Sequence, residues 1–89
     1  MGGNTNAVIA TIPVGRFPQH AAWSADGRFA YITNNQDNSV SVIDAGTFQV
    51  TATIPTGASP TSLAVLPDGS RGYVSNLADG TLTVLNLAG

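Results

Sequence analysis

Apolar residues in this chain fall into short runs that polar turn residues separate. The first series of runs comprises Val8–Ile12, His20–Ser24, Phe29–Thr33 and Ser39–Asp44. The second series comprises Phe48–Ile54, Thr61–Leu66, Gly72–Ser75 and Thr81–Leu85. Short runs rich in Val, Ile and Thr and bounded by Gly, Pro, Asn and Asp are typical of β-strands, and no helical periodicity competes with them. The pattern therefore predicts eight strands in an all-β fold.

The chain repeats itself, since Ile12-Pro13 and Ile54-Pro55 lie 42 positions apart and the same shift superposes many other residues without a gap. The matched pairs include Gly15/Gly57, Pro18/Pro60, Asp26-Gly27/Asp68-Gly69, Tyr31/Tyr73, Asn34/Asn76, Asp37/Asp79 and Val42/Val84. A fixed period of this size indicates two copies of one supersecondary unit. Four antiparallel strands in about 40 residues are what a β-propeller blade requires.

Both copies resemble the YVTN family of β-propeller repeats. The resemblance rests on Tyr31-Ile32-Thr33-Asn34 and Tyr73-Val74-Ser75-Asn76, together with Trp23–Arg28, Val40–Asp44 and Ala10–Gly15. The second copy departs from the repeat at Arg71-Gly72, Leu77 and Leu85-Asn86. The resemblance implies four strands per blade, ordered from the propeller axis outward, and a chain that begins on an outer strand. It also implies a secreted or cell-surface parent protein, while the compartment of this chain stays open.

Because the chain begins on an outer strand, its strands are out of step with the blades, and this offset divides the chain into four segments. Residues 1–6 are expected to be an N-terminal tail, residues 7–14 an outer strand that completes a neighbouring chain's blade, residues 15–56 the first blade, and residues 57–89 a second blade without its outer strand. We expect such a chain to be a fragment or an engineered portion of a larger propeller.

Two blades cannot close a propeller, because large apolar faces and an open strand edge would remain in water. We therefore expect homo-oligomerisation with strand exchange, in which Val8, Ala10 and Ile12 of one chain pair with Leu82 and Val84 of the next. Identical two-blade chains give an even blade count. A tetramer with eight blades is favoured, because its spacing of about 45° is closer to the roughly 51° of seven blades than the 60° of a six-bladed trimer.

Composition removes several classes of partner. Three basic residues against five acidic ones give a net charge of -2, which argues against nucleic-acid and membrane partners. Because 43% of residues are apolar and only 9% are charged, a packed fold is expected. Without cysteine there is no disulfide framework and no thiolate metal site.

Candidate binding residues are few. Arg16 and Phe17 lie in the loop before the first inner strand, and Gln36 and Asp37 lie in a second loop at the same end of the blade, so they form either a ligand-binding face or a solvated surface. His20, the only histidine, either holds a metal or haem in a ring of chains or bonds backbone and faces solvent. We expect Trp23 to be a packing residue, Asp26, Asp68 and Asn38 to be turn formers, and Asp44 to bond local backbone.

No arrangement of residues supports catalysis, since the chain lacks a Glu, a His pair and a Gly-rich phosphate loop. Some propellers of this broad family bind haem or act on lactones, and no motif here marks either activity. We expect a structural or binding scaffold that is not an enzyme and has no cofactor. The two alternatives are a ligand-binding ring at the loop face and a metal- or haem-binding ring through His20.

Overall fold

The chain forms two antiparallel sheets in a computed structural model that describes residues 8, 10–24 and 26–87. Seven strands follow one another along these residues: β1 Pro18–Trp23, β2 Phe29–Asn34, β3 Ser39–Asp44, β4 Gln49–Pro55, β5 Pro60–Val65, β6 Arg71–Asn76 and β7 Thr81–Asn86. The first sheet has the order β1-β2-β3-β4 and the second the order β5-β6-β7. Each sheet is a meander, as expected for a propeller blade.

The observed strands confirm seven of the eight predicted runs, with small changes at their ends. β1 begins at Pro18 rather than His20, and β5 begins at Pro60 rather than Thr61. Both changes have one cause, because a register irregularity after the proline lets the chain pair before its regular ladder starts. The equivalent irregularities in β1 and β5 show that the repeat extends to backbone detail.

The tight turns follow their sequence signals. Gly27 and Gly69 both have φ of 76°, which glycine adopts at little steric cost. In the first of these turns the Ser24 hydroxyl donates to Asp26 at 2.7 Å and the backbone N–H of Arg28 donates to the same oxygen at 3.0 Å. These bonds, the one from Ser24 foremost, lower the pKa of Asp26. The predicted turn roles of Asp26 and Asp68 and the predicted local backbone bond of Asp44 are confirmed, since all three carboxylates accept backbone N–H groups nearby.

The core lies between the two sheets. Tyr31 and Val40 of the first sheet pack against Leu63, Val74 and Leu85 of the second, and all five are buried. β1 and β2 both contact β5, so the sheets stack as successive blades. Burial in this layer raises the pKa of the Tyr31 hydroxyl.

Residues 8 and 10–14 form no strand within the single chain. Their predicted partner is another chain, so the outer strand predicted for Val8–Ile12 stays a prediction, and Ile9 and the tail 1–6 lie outside the described residues. The described part of the chain contains no helix that could span a membrane.

Candidate functional site

Asp37 fixes the loop that leads into β1. The backbone N–H of Arg16 donates to Asp37 Oδ2 at 2.8 Å, and Arg16 Nε donates to Asp37 Oδ1 at 2.9 Å. The ion pair is exposed, with the Arg16 side chain 78% accessible, so solvent screens it and its contribution to stability is small. The hydrogen bonds from the Arg16 side chain and backbone lower the pKa of Asp37 from its ordinary value of 3.8. Both carboxylate oxygens of Asp37 are therefore engaged in holding the loop.

Asn34 holds the same loop from the buried side. Its Oδ1 accepts the backbone N–H of Gly15 at 3.1 Å, and its Nδ2 donates to the hydroxyls of Ser39 at 3.2 Å and Ser41 at 2.9 Å. A Cβ at Gly15 would lie 2.6 Å from Asn34 Cγ, which is too close for any side chain. The backbone at position 15 therefore approaches Asn34 more closely than any residue other than glycine allows.

The second sheet repeats the carboxylate contact without the ion pair. The backbone N–H of Ala58 donates to Asp79 Oδ2 at 2.8 Å, and these residues occupy the positions of Arg16 and Asp37. Because Ala58 has no charged group, the Asp79 carboxylate holds this loop only through the backbone N–H of Ala58. The shared role of Asp37 and Asp79 is structural, and only the Arg16 guanidinium is particular to the first copy.

The amide contact changes between copies. Asn76 Nδ2 donates to the hydroxyls of Thr81 at 3.2 Å and Thr83 at 2.7 Å, as Asn34 does to two serines. The N–H of Gly57, however, donates to Thr83 Oγ1 at 3.2 Å, and Asn76 Oδ1 is buried without a partner among the described residues. Threonine at position 83 thus takes a bond that the asparagine accepts in the first copy.

The four predicted loop residues do lie together. The backbone N–H of Gln36 donates to the carbonyl of Arg16 at 3.2 Å, and that of Asn35 donates to the carbonyl of Phe17 at 2.9 Å. Phe17 has φ of 55° and is 56% exposed. Arg16, Phe17, Gln36 and Asp37 therefore form one exposed end of the first sheet, which we call the loop face.

His20 lies on β1, beside the second sheet. Its backbone N–H donates to Thr33 Oγ1 at 3.0 Å. Its side chain borders an open groove of about 240 Å³ whose other walls include Ser62, Tyr73 and Leu82. Among the described residues, no group of three or more His, Asp or Glu side chains is placed to hold a metal ion.

One side of the second sheet is apolar and open. The trailing face, as we call it, comprises Ala64, Tyr73 and Val84, which are opposed across the β5-β6-β7 ladders, and Leu82, which lies two residues before Val84 on the same side of β7. Leu82 is 60% exposed and Val84 is 54% exposed. The trailing face therefore leaves two large aliphatic side chains of the edge strand β7 in water beside Ala64 and Tyr73, and together they form an exposed apolar patch.

The side of the first sheet that points away from the second sheet is the counterpart of the trailing face. Ala21, Trp23, Ile32 and Ile43, which we call the leading face, lie on the side away from the second sheet. Trp23 is 63% exposed, so the expectation that it packs is wrong for the single chain. Ala21 and Ile32 line an open groove of about 220 Å³. The two ends of the stack thus present one apolar face each.

Sequence reasoning missed the roles of Asn34 and Asn76. Both are almost fully buried, at 0% and 2% exposed, although their positions at strand ends suggested polar turn residues. The sequence shows only a repeated spacing, because Asn34 lies 19 residues after Gly15 and Asn76 lies 19 residues after Gly57. Pairing two such distant positions requires the fold.

The family model described as Lactonase, 7-bladed beta-propeller matches residues 4–89 of the chain. No curated protein matches this chain.

Three solved structures are similar to the chain over most of its length. Kuenenia stuttgartiensis hydrazine synthase is 29% identical with a TM-score of 0.80, over 96% of this chain and 24% of that one. The dihydro-heme d1 dehydrogenase NirN in complex with DHE is 28% identical with a TM-score of 0.72, over 81% and 15%. A functionally unknown protein from Desulfotomaculum acetoxidans DSM 771 is 25% identical with a TM-score of 0.66, over 81% and 27%. The chain therefore spans between 15% and 27% of these proteins.

Proposed function

The chain belongs to the Lactonase, 7-bladed beta-propeller family, and we propose that it is a structural or binding scaffold. In this proposal the chain supplies two blades and assembles with further copies of itself into a closed ring. Within that family we assign its repeats to the YVTN type, on Tyr31–Asn34 and Tyr73–Asn76. The buried bonds of Asn34 and Asn76 support the assignment, since they give the last residue of each motif a common structural role.

One observation carries the proposal. The trailing face has the same residue positions as the buried side of the first sheet, where Ala22, Tyr31, Val40 and Val42 pack against the second sheet. Val40 is 0% exposed, whereas Leu82 at the equivalent position is 60% exposed. In the first copy a blade of the same repeat covers these positions, together with Ile54 of β4, so a blade is the occupant that the trailing face fits.

The leading face supplies that blade. The residues of the second sheet that pack against the first are Leu63, Val65, Val74 and Leu85, and the leading face occupies the equivalent positions. A second copy can therefore place its leading face on the trailing face of the first, repeating the junction that already exists within the chain. Such a contact is heterologous and closes into a ring when the rotation permits.

The outermost strands support strand exchange between chains. β4 covers β3 in the first sheet, while β7 is the last strand of the second sheet in the described residues. Residues 8 and 10–13 are identical to residues 50 and 52–55 of β4. We propose that residues 7–14 pair with β7 of a neighbouring chain in the register of β3 and β4, where Val40 faces Ile54 and Val42 faces Ala52. The exchange then sets Leu82 opposite Ile12 and Val84 opposite Ala10.

The ring has an even number of blades because each chain contributes two. Eight blades are spaced by about 45° and six by about 60°, against roughly 51° for seven. The smaller adjustment favours the tetramer over the trimer, since crowding the inner strands costs about 1–3 kcal/mol for each misfit core residue.

The native mass tests the assembly directly. The chain weighs 9.0 kDa, so a tetramer gives about 36 kDa and a trimer about 27 kDa. We expect the tetramer mass by native mass spectrometry and by sedimentation at micromolar concentration. A folded species of 9.0 kDa that persists at all concentrations would refute the scaffold assembly.

The scaffold is proposed to have no catalytic activity, and the family name sets the test. The Asp37 carboxylate already accepts hydrogen bonds at both oxygens, which supports a structural role. We expect a simple γ-lactone to hydrolyse at the buffer rate in the presence of the assembled protein. Hydrolysis above that rate that is lost in Asp37→Asn or His20→Ala would identify an enzyme.

Ligand binding at the loop face is a second candidate function, which the exposure of Arg16 and Phe17 favours. An exposed guanidinium next to an aromatic ring suits a small aromatic anion. Benzoate binding by calorimetry that Arg16→Ala removes would support it. Binding of metal or haem through His20 would instead produce an absorbance band or bound metal that His20→Ala abolishes.

A further inference from the structure

The junction within the chain is held at the loop end by two side-chain hydrogen bonds between blades. Asn35 Nδ2 donates to the carbonyl of Pro60 at 3.3 Å. Asn38 Oδ1 accepts the backbone N–H of Ser59 at 3.0 Å. Both asparagines belong to the loop between β2 and β3, and both partners lie at the start of the second blade. At this end, the junction within the chain is therefore polar.

The repeat shows what the same place contains between chains. The positions of Asn35 and Asn38 are occupied in the second copy by Leu77 and Gly80. The positions of Ser59 and Pro60 are occupied in the first copy by Phe17 and Pro18. Leucine has no side-chain amide to donate a hydrogen bond, and glycine has no side-chain oxygen to accept one. Neither hydrogen bond can form where the second blade of one chain meets the first blade of the next.

We propose that the junction between chains is closed at the loop end by an apolar contact, in which Leu77 of one copy packs on Phe17 and Pro18 of the next. This inference rests on the proposed ring assembly and assigns it a surface outside the sheet faces. In the ring, junctions alternate between the polar kind within a chain and the apolar kind between chains. The two kinds of junction therefore differ in the chemistry of their loop-end contacts.

The exposure of two apolar side chains in the single chain supports this contact. Leu77 is 73% exposed and Phe17 is 56% exposed, which makes them two of the most exposed large apolar side chains among the described residues. Phe17 also has φ of 55°, a left-handed conformation that is disfavoured for a bulky side chain. Ser59 shares that conformation at φ 57° with a much smaller side chain. Phe48 shares it at φ 59° at the opposite end of the strands, so the exposure of Leu77 and Phe17, and not the backbone conformation, supports the contact.

The test compares the concentration dependence of assembly among variants. In Leu77→Asp a charge enters the contact, and we expect the concentration for half-dissociation, measured by sedimentation, to rise at least about tenfold. The triple variant Phe17→Ser, Leu77→Asn, Gly80→Asn gives the junction between chains the residues of the junction within it. Gly80 has φ of 64°, which asparagine tolerates as Asn38 does at 54°. We expect this variant to assemble with the original affinity to within about threefold.

The matched control is Phe48→Asn. Phe48 is 44% exposed with φ of 59°, and it lies in the turn between β3 and β4 at the opposite end of the strands. Its replacement should leave assembly unchanged. If the original chain assembles and Leu77→Asp assembles as the control does, the apolar contact is wrong and the ring remains. A monomeric original chain would instead refute the ring itself, and far-UV circular dichroism shows that each variant is folded.

Discussion

Val40 and Leu82 occupy the same position in two copies of one repeat, yet Val40 is completely buried and Leu82 is 60% exposed. The difference arises from what lies next to each residue. The second sheet and Ile54 of β4 cover Val40, whereas Leu82 lies on the last strand of its sheet and the described residues place neither a blade nor an outer strand beside it. This pair separates residues that stabilise the chain from residues that are available for assembly.

Aspartate at these two positions should have different consequences. Val40→Asp buries a charge without a partner and should lower the free energy of unfolding by about 4 kcal/mol or more. Leu82→Asp should leave each chain with its β-sheet signal but prevent a leading face from docking. Native mass spectrometry and far-UV circular dichroism measure the two effects. An assembly mass that survives Leu82→Asp would exclude the trailing face as the interface, and Phe48→Asp serves as the surface control.

Trp23 should report assembly, because it is the only tryptophan and is 63% exposed. Its position is that of Val65, which packs at the junction within the chain. As concentration rises, the emission should shift to shorter wavelength and quenching by acrylamide should decrease. Leu82→Asp at the same concentrations should keep the spectrum of the exposed indole. A concentration-independent spectrum in an assembled sample would mean that the leading face does not participate.

Asp37 should make stability dependent on pH in a defined direction. Its bonds to Arg16 lower its pKa in the folded chain below the ordinary value of 3.8, so the folded state favours the ionised form. This contribution is fully present above that value and is lost as pH falls through the lower pKa of the folded state. The thermal midpoint of Asp37→Asn should therefore lie below that of the original chain at neutral pH, and the gap should narrow below about pH 4. A gap that widens on acidification would contradict this role.

The loop glycines should be intolerant of a methyl group. At Gly15 a Cβ would lie 2.7 Å from Asp37 Oδ2, and at Gly57 it would lie 2.9 Å from Asp79 Oδ2. Gly15→Ala and Gly57→Ala should each cost about 1–3 kcal/mol, because the backbone must withdraw from the side chains that hold it. Gly46→Ala is the control, since its nearest contact is the movable Asp44 carboxylate at 3.2 Å. Denaturant unfolding that ranks Gly46→Ala with the other two would argue against the close approach.

Local pattern predicted more of the fold than of the site. Alternating short apolar runs and Asp-Gly turns depend on neighbouring residues, so seven strands were predictable to within a few residues. The bonds of Asn34 to Gly15 join positions 19 residues apart, and sequence alone does not show which buried amide serves which loop. Trp23 shows the opposite limit, since an apolar residue type indicates packing but not whether the partner belongs to the same chain.

The strand exchange should be measurable by engineered disulfides, because the chain has no cysteine of its own. In the proposed register Leu82 of one chain faces Ile12 of the next, as Val40 faces Ile54 within the first sheet. Ile12→Cys with Leu82→Cys should therefore oxidise between chains, because directly opposed residues bring their Cβ atoms to about 4.5–5.5 Å, close enough for a bridge after small adjustment. Partial oxidation should give a ladder of covalent species on a non-reducing gel, and its highest step counts the chains in the ring. Thr11→Cys with Leu82→Cys is the register control, because successive side chains point to opposite faces of a strand. Equal bridging in both pairs would refute the register, and a ladder that ends at three chains would replace the tetramer with the trimer.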